Sequence, residues 1–190
     1  MYYESTFIIR LYGSKAYKSK TCRNHAINVY FLFIQIVYSS SMKWFLQEKP
    51  FSCGPSALRN CLLFLNIIRS ESYLRFLMGT TKNGTTEKGI IKSLEILKIR
   101  YSVVQTKSYP TFRKRLIKAL STGPVILLVE SGGHWVAATK YNKRLVEIID
   151  SDYKSIKQSL KFNDLKQLAF NFDKHTLKSY YYFIAIKLSK

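Results

Sequence analysis

Apolar positions fall into distinct patterns along the chain. Between residues 55 and 66, Ala57, Leu58, Cys61, Leu62 and Leu65 recur at spacings of three and four, which predicts an amphipathic helix. A second short helix is predicted over 72–78, closed by Gly79, and a third over 87–97 with Ile90, Ile91, Leu94 and Leu97 on one face. Residues 101–105 read as a strand, 111–120 as a helix, and Gly123-Pro124 turns the chain into a strand over 125–130. A hairpin is predicted next, with strands 134–141 and 144–150 around a turn at Asn142-Lys143. Residues 159–169 read as helical and 180–188 as a last strand. Helices come first and an antiparallel sheet second, an α+β order.

Residues 1–41 break from this regularity. A basic stretch (Lys15, Lys18, Lys20, Arg23) precedes the apolar run 27–38, then Ser39-Ser40-Ser41. That order outlines a secretory signal or membrane anchor, but Asn28 and Gln35 interrupt a run shorter than the roughly 20 apolar residues of a span. An accessory element, or an extension upstream of an internal start at Met42, fits better. The division expected is therefore a 1–41 extension and a 42–190 domain. The cytoplasm is the expected location; membrane association would run through 27–38.

With 190 residues and 47% hydrophobic positions, the chain can bury one substantial core. Its formal net charge is +20, which favours polyanions, including acidic polypeptides. The densest cluster, Arg113-Lys114-Arg115 with Lys118, lies on a predicted amphipathic helix, and no zinc-finger spacing or phosphate loop accompanies it. A solvated basic surface is the expectation, and a dedicated nucleic-acid role is not.

Three cysteines without paired spacing argue against a disulfide framework or structural zinc. Cys61 lies on the apolar stripe and reads as packing; Cys22 falls in the extension. Cys53 differs. It precedes Gly54-Pro55, with Pro55 suited to a first helical turn, so its sulfur sits at the positive end of a helix, where thiolate is favoured. Gly54 permits close approach of a substrate carbonyl. His134 follows Ser131-Gly132-Gly133 at the start of a strand, where an imidazole stays reachable from a cleft; His25 and His175 have no such context. A three-residue hairpin loop at 141–143 would set Asp150 opposite His134, on one face. A two-residue loop at Asn142-Lys143 would set it opposite Trp135 unless a bulge intervenes. Asp152 shares the parity of Asp150 and is the reserve candidate for orienting the imidazole.

The order Gln47, Cys53, His134, Asp150 resembles the papain-like cysteine peptidases, and specifically the C39 family. That family includes the domains that remove double-glycine leader peptides and stand-alone C39-like proteins. The matching pieces are Gln47 six residues before Cys53, Cys53-Gly54-Pro55-Ser56-Ala57-Leu58 running into a helix, Gly123-Pro124-Val125-Ile126, Gly133-His134-Trp135-Val136, and Ile148-Ile149-Asp150. The resemblance implies a papain-like fold over 42–190, with the nucleophile helix packed on the antiparallel sheet. It implies Cys53 as nucleophile, His134 as proton shuttle, Asp150 as its orienter and Gln47 as oxyanion donor beside the Cys53 N–H. A polypeptide substrate and no metal or organic cofactor are implied. The family usually has Asp-Pro where this chain has Asp150-Ser151, and no transporter membrane domain or ATPase follows here. Acyl transfer or deamidation on the same residues, and a non-catalytic polyanion-binding module, are the alternative functions.

Overall fold

The structure, a computed structural model, describes residues 43–152, 156–173 and 175–187. The chain divides into two compact units, Met1–Lys43 and Trp44–Lys190. Apart from Lys43, the first lies outside the described residues, and with it the 27–38 run, Cys22, His25 and Met42. Among the described residues no helix is long and apolar enough to cross a membrane.

The second unit opens with three helices: α1 (Cys53–Phe64), α2 (Glu71–Met78) and α3 (Glu87–Ile96). Their limits follow from local chemistry. Ser70 and Thr86 cap α2 and α3 by accepting from the N–H groups of Tyr73 and Gly89. Gly79 ends α2 in the left-handed conformation, φ 62°. β1 (Arg100–Thr106) is followed by α4 (Tyr109–Leu120), capped by Ser108, then β2 (Val125–Val129), β3 (His134–Tyr141) and β4 (Leu145–Ile149). β5 (Lys157–Lys161), α5 (Phe162–Leu168), β6 (Asn171–Asp173) and β7 (Lys178–Lys187) complete it. Two expected element limits need correction, besides the hairpin turn. Residues 157–161 form a strand, so the expected 159–169 helix shortens to α5. The strand expected to reach Glu130 stops at Val129.

The sheet runs β1-β7-β2-β3-β4-β5, antiparallel throughout, with β6 also on β7. Helices cover both faces. On one, Leu58, Leu62, Leu74, Ile90 and Leu94 of α1–α3 pack on Ile126, Leu128, Trp135, Ala137, Ile149 and Ile184. On the other, Phe112 and Leu116 of α4 and Phe162 and Leu165 of α5 pack on Leu127, Val136, Val146, Ile148 and Phe183. Coverage from both sides explains why β2 is an unbroken apolar run, Val-Ile-Leu-Leu-Val, buried at every position. Arg113, Lys114, Arg115 and Lys118 lie on the exposed side of α4, as their spacing predicts.

The β3–β4 hairpin decides where its acidic end falls. Asn142 N–H bonds the Leu145 carbonyl at 2.9 Å, so the tip is Lys143-Arg144, one residue later than expected. Asn142 Oδ1 accepts from the N–H groups of Arg144 and Leu145, fixing that turn. Tyr141 and Lys140 pair with Val146 and Glu147, whereas Ala138 and Ala137 pair with Ile148 and Ile149. Thr139 is therefore an extra residue on β3, a bulge pinned by its hydroxyl to Glu147 Oε1 at 2.8 Å. Without it, the next step beyond Ile149 would place Asp150 across from Ala137, on the wrong face. With it, Asp150 falls across from Val136, two residues from His134 and of the same parity. Neither anticipated loop was right; the bulge restores the alignment.

Candidate active site

Cys53 is the first residue of α1, nine-tenths buried, and no side chain caps the helix. α1 packs across β3, and Cys53 at its N-terminus interacts with His134, the first residue of β3. The first-turn N–H groups, uncompensated by a cap and with Pro55 contributing none, give the sulfur an electropositive setting. Gly54 is required by contact. A Cβ there would lie 2.7 Å from Cβ of Thr85 and 3.0 Å from its Cγ2 and Oγ1. The Thr85 carbonyl in turn accepts from Trp135 Nε1 at 3.0 Å, so one residue touches the neighbours of both Cys53 and His134. Gly54→Ala is expected to destabilise the protein by about 1–3 kcal/mol through overpacking. In a urea melt, combining it with Thr85→Gly should cost less than the two changes added together; strict additivity would contradict the contact.

His134 follows a tight turn. Val129 pairs with His134 across four residues, of which Glu130, Ser131 and Gly132 have φ of 53°, 57° and 89°. Left-handed backbone at two non-glycine residues stores strain of about 1–3 kcal/mol each, held by the flanking strands. His134 Nε2 lies 2.9 Å from Asp150 Oδ1, both side chains about 10% exposed. With Nε2 so committed, Nδ1 is the nitrogen left for the hydrogen bond between the imidazole and Cys53. Burial disfavours the imidazolium. The hydrogen bonds to Asp150 and Cys53 and the charges of both outweigh that burial, and carry its pKa from 6.5 up to about 10.

Asp150 is itself fixed. Its N–H donates to the Ile156 carbonyl at 2.8 Å, and its Oδ1 also accepts from the Asp152 N–H at 3.1 Å. Of the two aspartates considered for the imidazole, Asp150 is therefore the one bonded to it, and Asp152 holds Gln47 instead. Gln47 Nε2 donates to Asp152 Oδ1 at 2.9 Å and to the Pro50 carbonyl at 3.3 Å. Gln47 Oε1 accepts from Ser151 Oγ at 3.3 Å, and Gln47 N–H donates to the Ser151 carbonyl at 3.1 Å. Gln47, Asp150 and His134 thus join one hydrogen-bonded array through Asp152, and Cys53 interacts with its imidazole. Cys61 does not; it is fully buried, its thiol 3.7 Å from the Val125 carbonyl, and burial pushes its pKa up. His175 is exposed.

Sequence reasoning missed the residues that hold the 44–52 segment. Asn60, fully buried on α1, accepts from Phe45 N–H at 2.9 Å and donates to its carbonyl at 3.0 Å. A lone amide beside an apolar helical stripe was the available signal. Glu71, also fully buried, accepts from Ser52 Oγ at 2.6 Å, from Glu48 N–H at 2.9 and 3.1 Å, and from Arg75 at 2.7 Å. Its partners lie 19 to 23 residues away or on its own helix, so it reads locally as an ordinary first-turn acid.

A buried cysteine at a helix N-terminus thus lies beside an imidazole bonded to a carboxylate, on helices packed against an antiparallel sheet. A model of the Peptidase C39 family matches residues 41–177. Three solved structures share the fold. The peptidase domain of Streptococcus ComA, a bi-functional ABC transporter involved in a quorum sensing pathway, is 20% identical over 76% of this chain and 97% of its own, with a TM-score of 0.58. A C39-like peptidase from Bacillus anthracis is 12% identical over 80% and 97%, TM-score 0.57. A double glycine motif protease from an AMS/PCAT transporter, in complex with the leader peptide, is 13% identical over 74% and 90%, TM-score 0.55. A comparison with curated proteins found no match. The chain belongs to the Peptidase C39 family and is a cysteine-type peptidase.

Proposed function

We propose that this protein hydrolyses peptide bonds of polypeptide substrates, with Cys53 as nucleophile, His134 as proton carrier, Asp150 as its orienter and Gln47 as oxyanion donor. The observation that carries the reading is the imidazole of His134 bonded to Asp150 at 2.9 Å while it interacts with Cys53 at the N-terminus of α1. The Cys53 sulfur attacks the carbonyl carbon; the S–C bond forms as the carbonyl π pair moves to oxygen. That oxyanion is received by the Cys53 N–H and the Gln47 amide. Collapse expels the amine, which takes the proton from His134 Nδ1. Water then attacks the thioester, giving its proton to His134, and the acid leaves as the S–C bond breaks. Asp150 keeps Nε2 protonated throughout and stabilises the imidazolium.

A polypeptide substrate is supported by family membership and by the leader-peptide complex of the double glycine motif protease. The formal charge of +20 favours acidic peptides among these. The test is incubation of the full chain with a mixed peptide digest, read by mass spectrometry beside Cys53→Ala. Shortened peptides confined to the unmodified protein are expected. Crosslinked or deamidated products without shortened ones would replace hydrolysis by acyl transfer or deamidation.

A further inference from the structure

The turn that supplies Asp150 does a second thing. Its next two side chains, Ser151 and Asp152, both bind the Gln47 amide, one at each end. We propose that Asp152 is a positioning residue, which holds the Gln47 amide with its N–H edge toward the developing oxyanion; this rests on the reading of Gln47 as oxyanion donor.

An amide side chain has two nearly isosteric ends, and only its neighbours decide which way it faces. Here the choice is made twice. Asp152 is acceptor-only when ionised, so the Nε2 end must face it, at 2.9 Å. Ser151 Oγ donates to the Oε1 end at 3.3 Å. The reversed amide would set Oε1 against a carboxylate. Of the two Nε2 hydrogens, one is committed to Asp152 and the other meets the Pro50 carbonyl at 3.3 Å, a long contact. The weakly held hydrogen is the one an oxyanion can take over. Fixing the first hydrogen therefore orients the second without consuming it, the preorganisation that makes such donors effective. The same turn serves the other half of the site, because the Asp152 N–H bonds Asp150 Oδ1 at 3.1 Å. That bond uses main chain and survives any substitution at residue 152.

The test compares two small probes on the full chain, each corrected with Cys53→Ala. 4-Nitrophenyl acetate acylates sulfur through an oxyanion; iodoacetamide alkylates it by displacement, without one. Gln47→Ala is expected to slow acylation by about 10²-fold and Asp152→Ala by about tenfold, with alkylation of both within about twofold of the unmodified protein. Asp152→Asn, which keeps an acceptor for the same N–H, should stay within about threefold, and Asp152→Ala should add less than about twofold in the Gln47→Ala background. The positioning role is overturned if Asp152→Ala acylates normally, loses as much without Gln47 as with it, slows alkylation equally, or behaves no differently from Asp152→Asn. Normal acylation by Gln47→Ala would instead overturn the oxyanion reading of Gln47 itself.

Discussion

Alanine at Cys53 or at His134 is expected to reduce peptide hydrolysis by at least about 10⁴-fold, with the double variant scarcely worse than either single one. In the proposed mechanism thiol and imidazole act as one unit: Cys53 forms the acyl-enzyme and His134 delivers the proton to the leaving amine. The two variants differ in what remains. His134→Ala keeps a sulfur at the helix N-terminus, so iodoacetamide should still label it, more slowly than in the unmodified protein. Cys61, buried and with its thiol pKa pushed up, should stay unlabelled in both. The pH profile carries a further sign. His134 holds its proton up to about 10, because its bonds to Asp150 and Cys53 outweigh burial. Acylation by an amide substrate needs that proton, so activity should persist well above the ordinary histidine range and fall as pH rises through about 10. An alkaline fall near pH 6.5 would mean that the imidazole is not held between the two groups, and peptide hydrolysis surviving in His134→Ala would sink the assignment outright.

The helical part of the fold was legible because its signals are local. Apolar spacing marked α1 to α4, and caps at Ser70, Thr86 and Ser108 fixed where three of them start. β5 was not legible. It is an edge strand of Lys-Gln-Ser-Leu-Lys, exposed on one face and half-buried on the other, with a single apolar residue, Leu160, to read. The candidate site divides in the same way. Cys53 and His134 were singled out as candidates from the residues beside them, since helix N-termini and glycine turns are local events. The alignment of Asp150 depends on an extra residue at Thr139, and a bulge buried on both faces leaves no mark in the alternation of a doubly covered strand. Asn142 misled the turn assignment: it reads as a turn residue, but it stands before the tip and caps it with its side chain. Gln47 and Asp152 were noticed separately, and only the folded chain brings positions 105 residues apart within 2.9 Å.

The largest stability loss is expected at Glu71, a residue outside the proposed mechanism. Its carboxylate is inaccessible to water and accepts from a hydroxyl, a main-chain N–H and a guanidinium. Glu71→Ala would leave the Glu48 N–H without its acceptor, the Ser52 hydroxyl with only the Lys49 carbonyl at 2.8 Å, and Arg75 without its 2.7 Å partner. Arg75 retains only Glu48 at 3.2 Å, on a side chain 42% exposed. Breaking such a buried pair from one side costs about 3–5 kcal/mol, read as a shift in the urea midpoint. Glu71→Gln preserves the volume and one acceptor but turns an NH₂ group toward other donors, so it should cost less and still more than a surface change. Lys157→Ala supplies that comparison: its bond to Glu147 is 2.8 Å long, yet the lysine is 45% exposed, and the loss should stay under about 1 kcal/mol. The consequence for function follows from position. Glu71 holds Glu48 and Ser52, which bracket the segment entering α1 at Cys53. In Glu71→Gln, under conditions where it remains folded, iodoacetamide labelling of Cys53 should slow while Lys157→Ala labels normally. Equal stability losses at Glu71 and Lys157 would show that the buried carboxylate does not hold this segment.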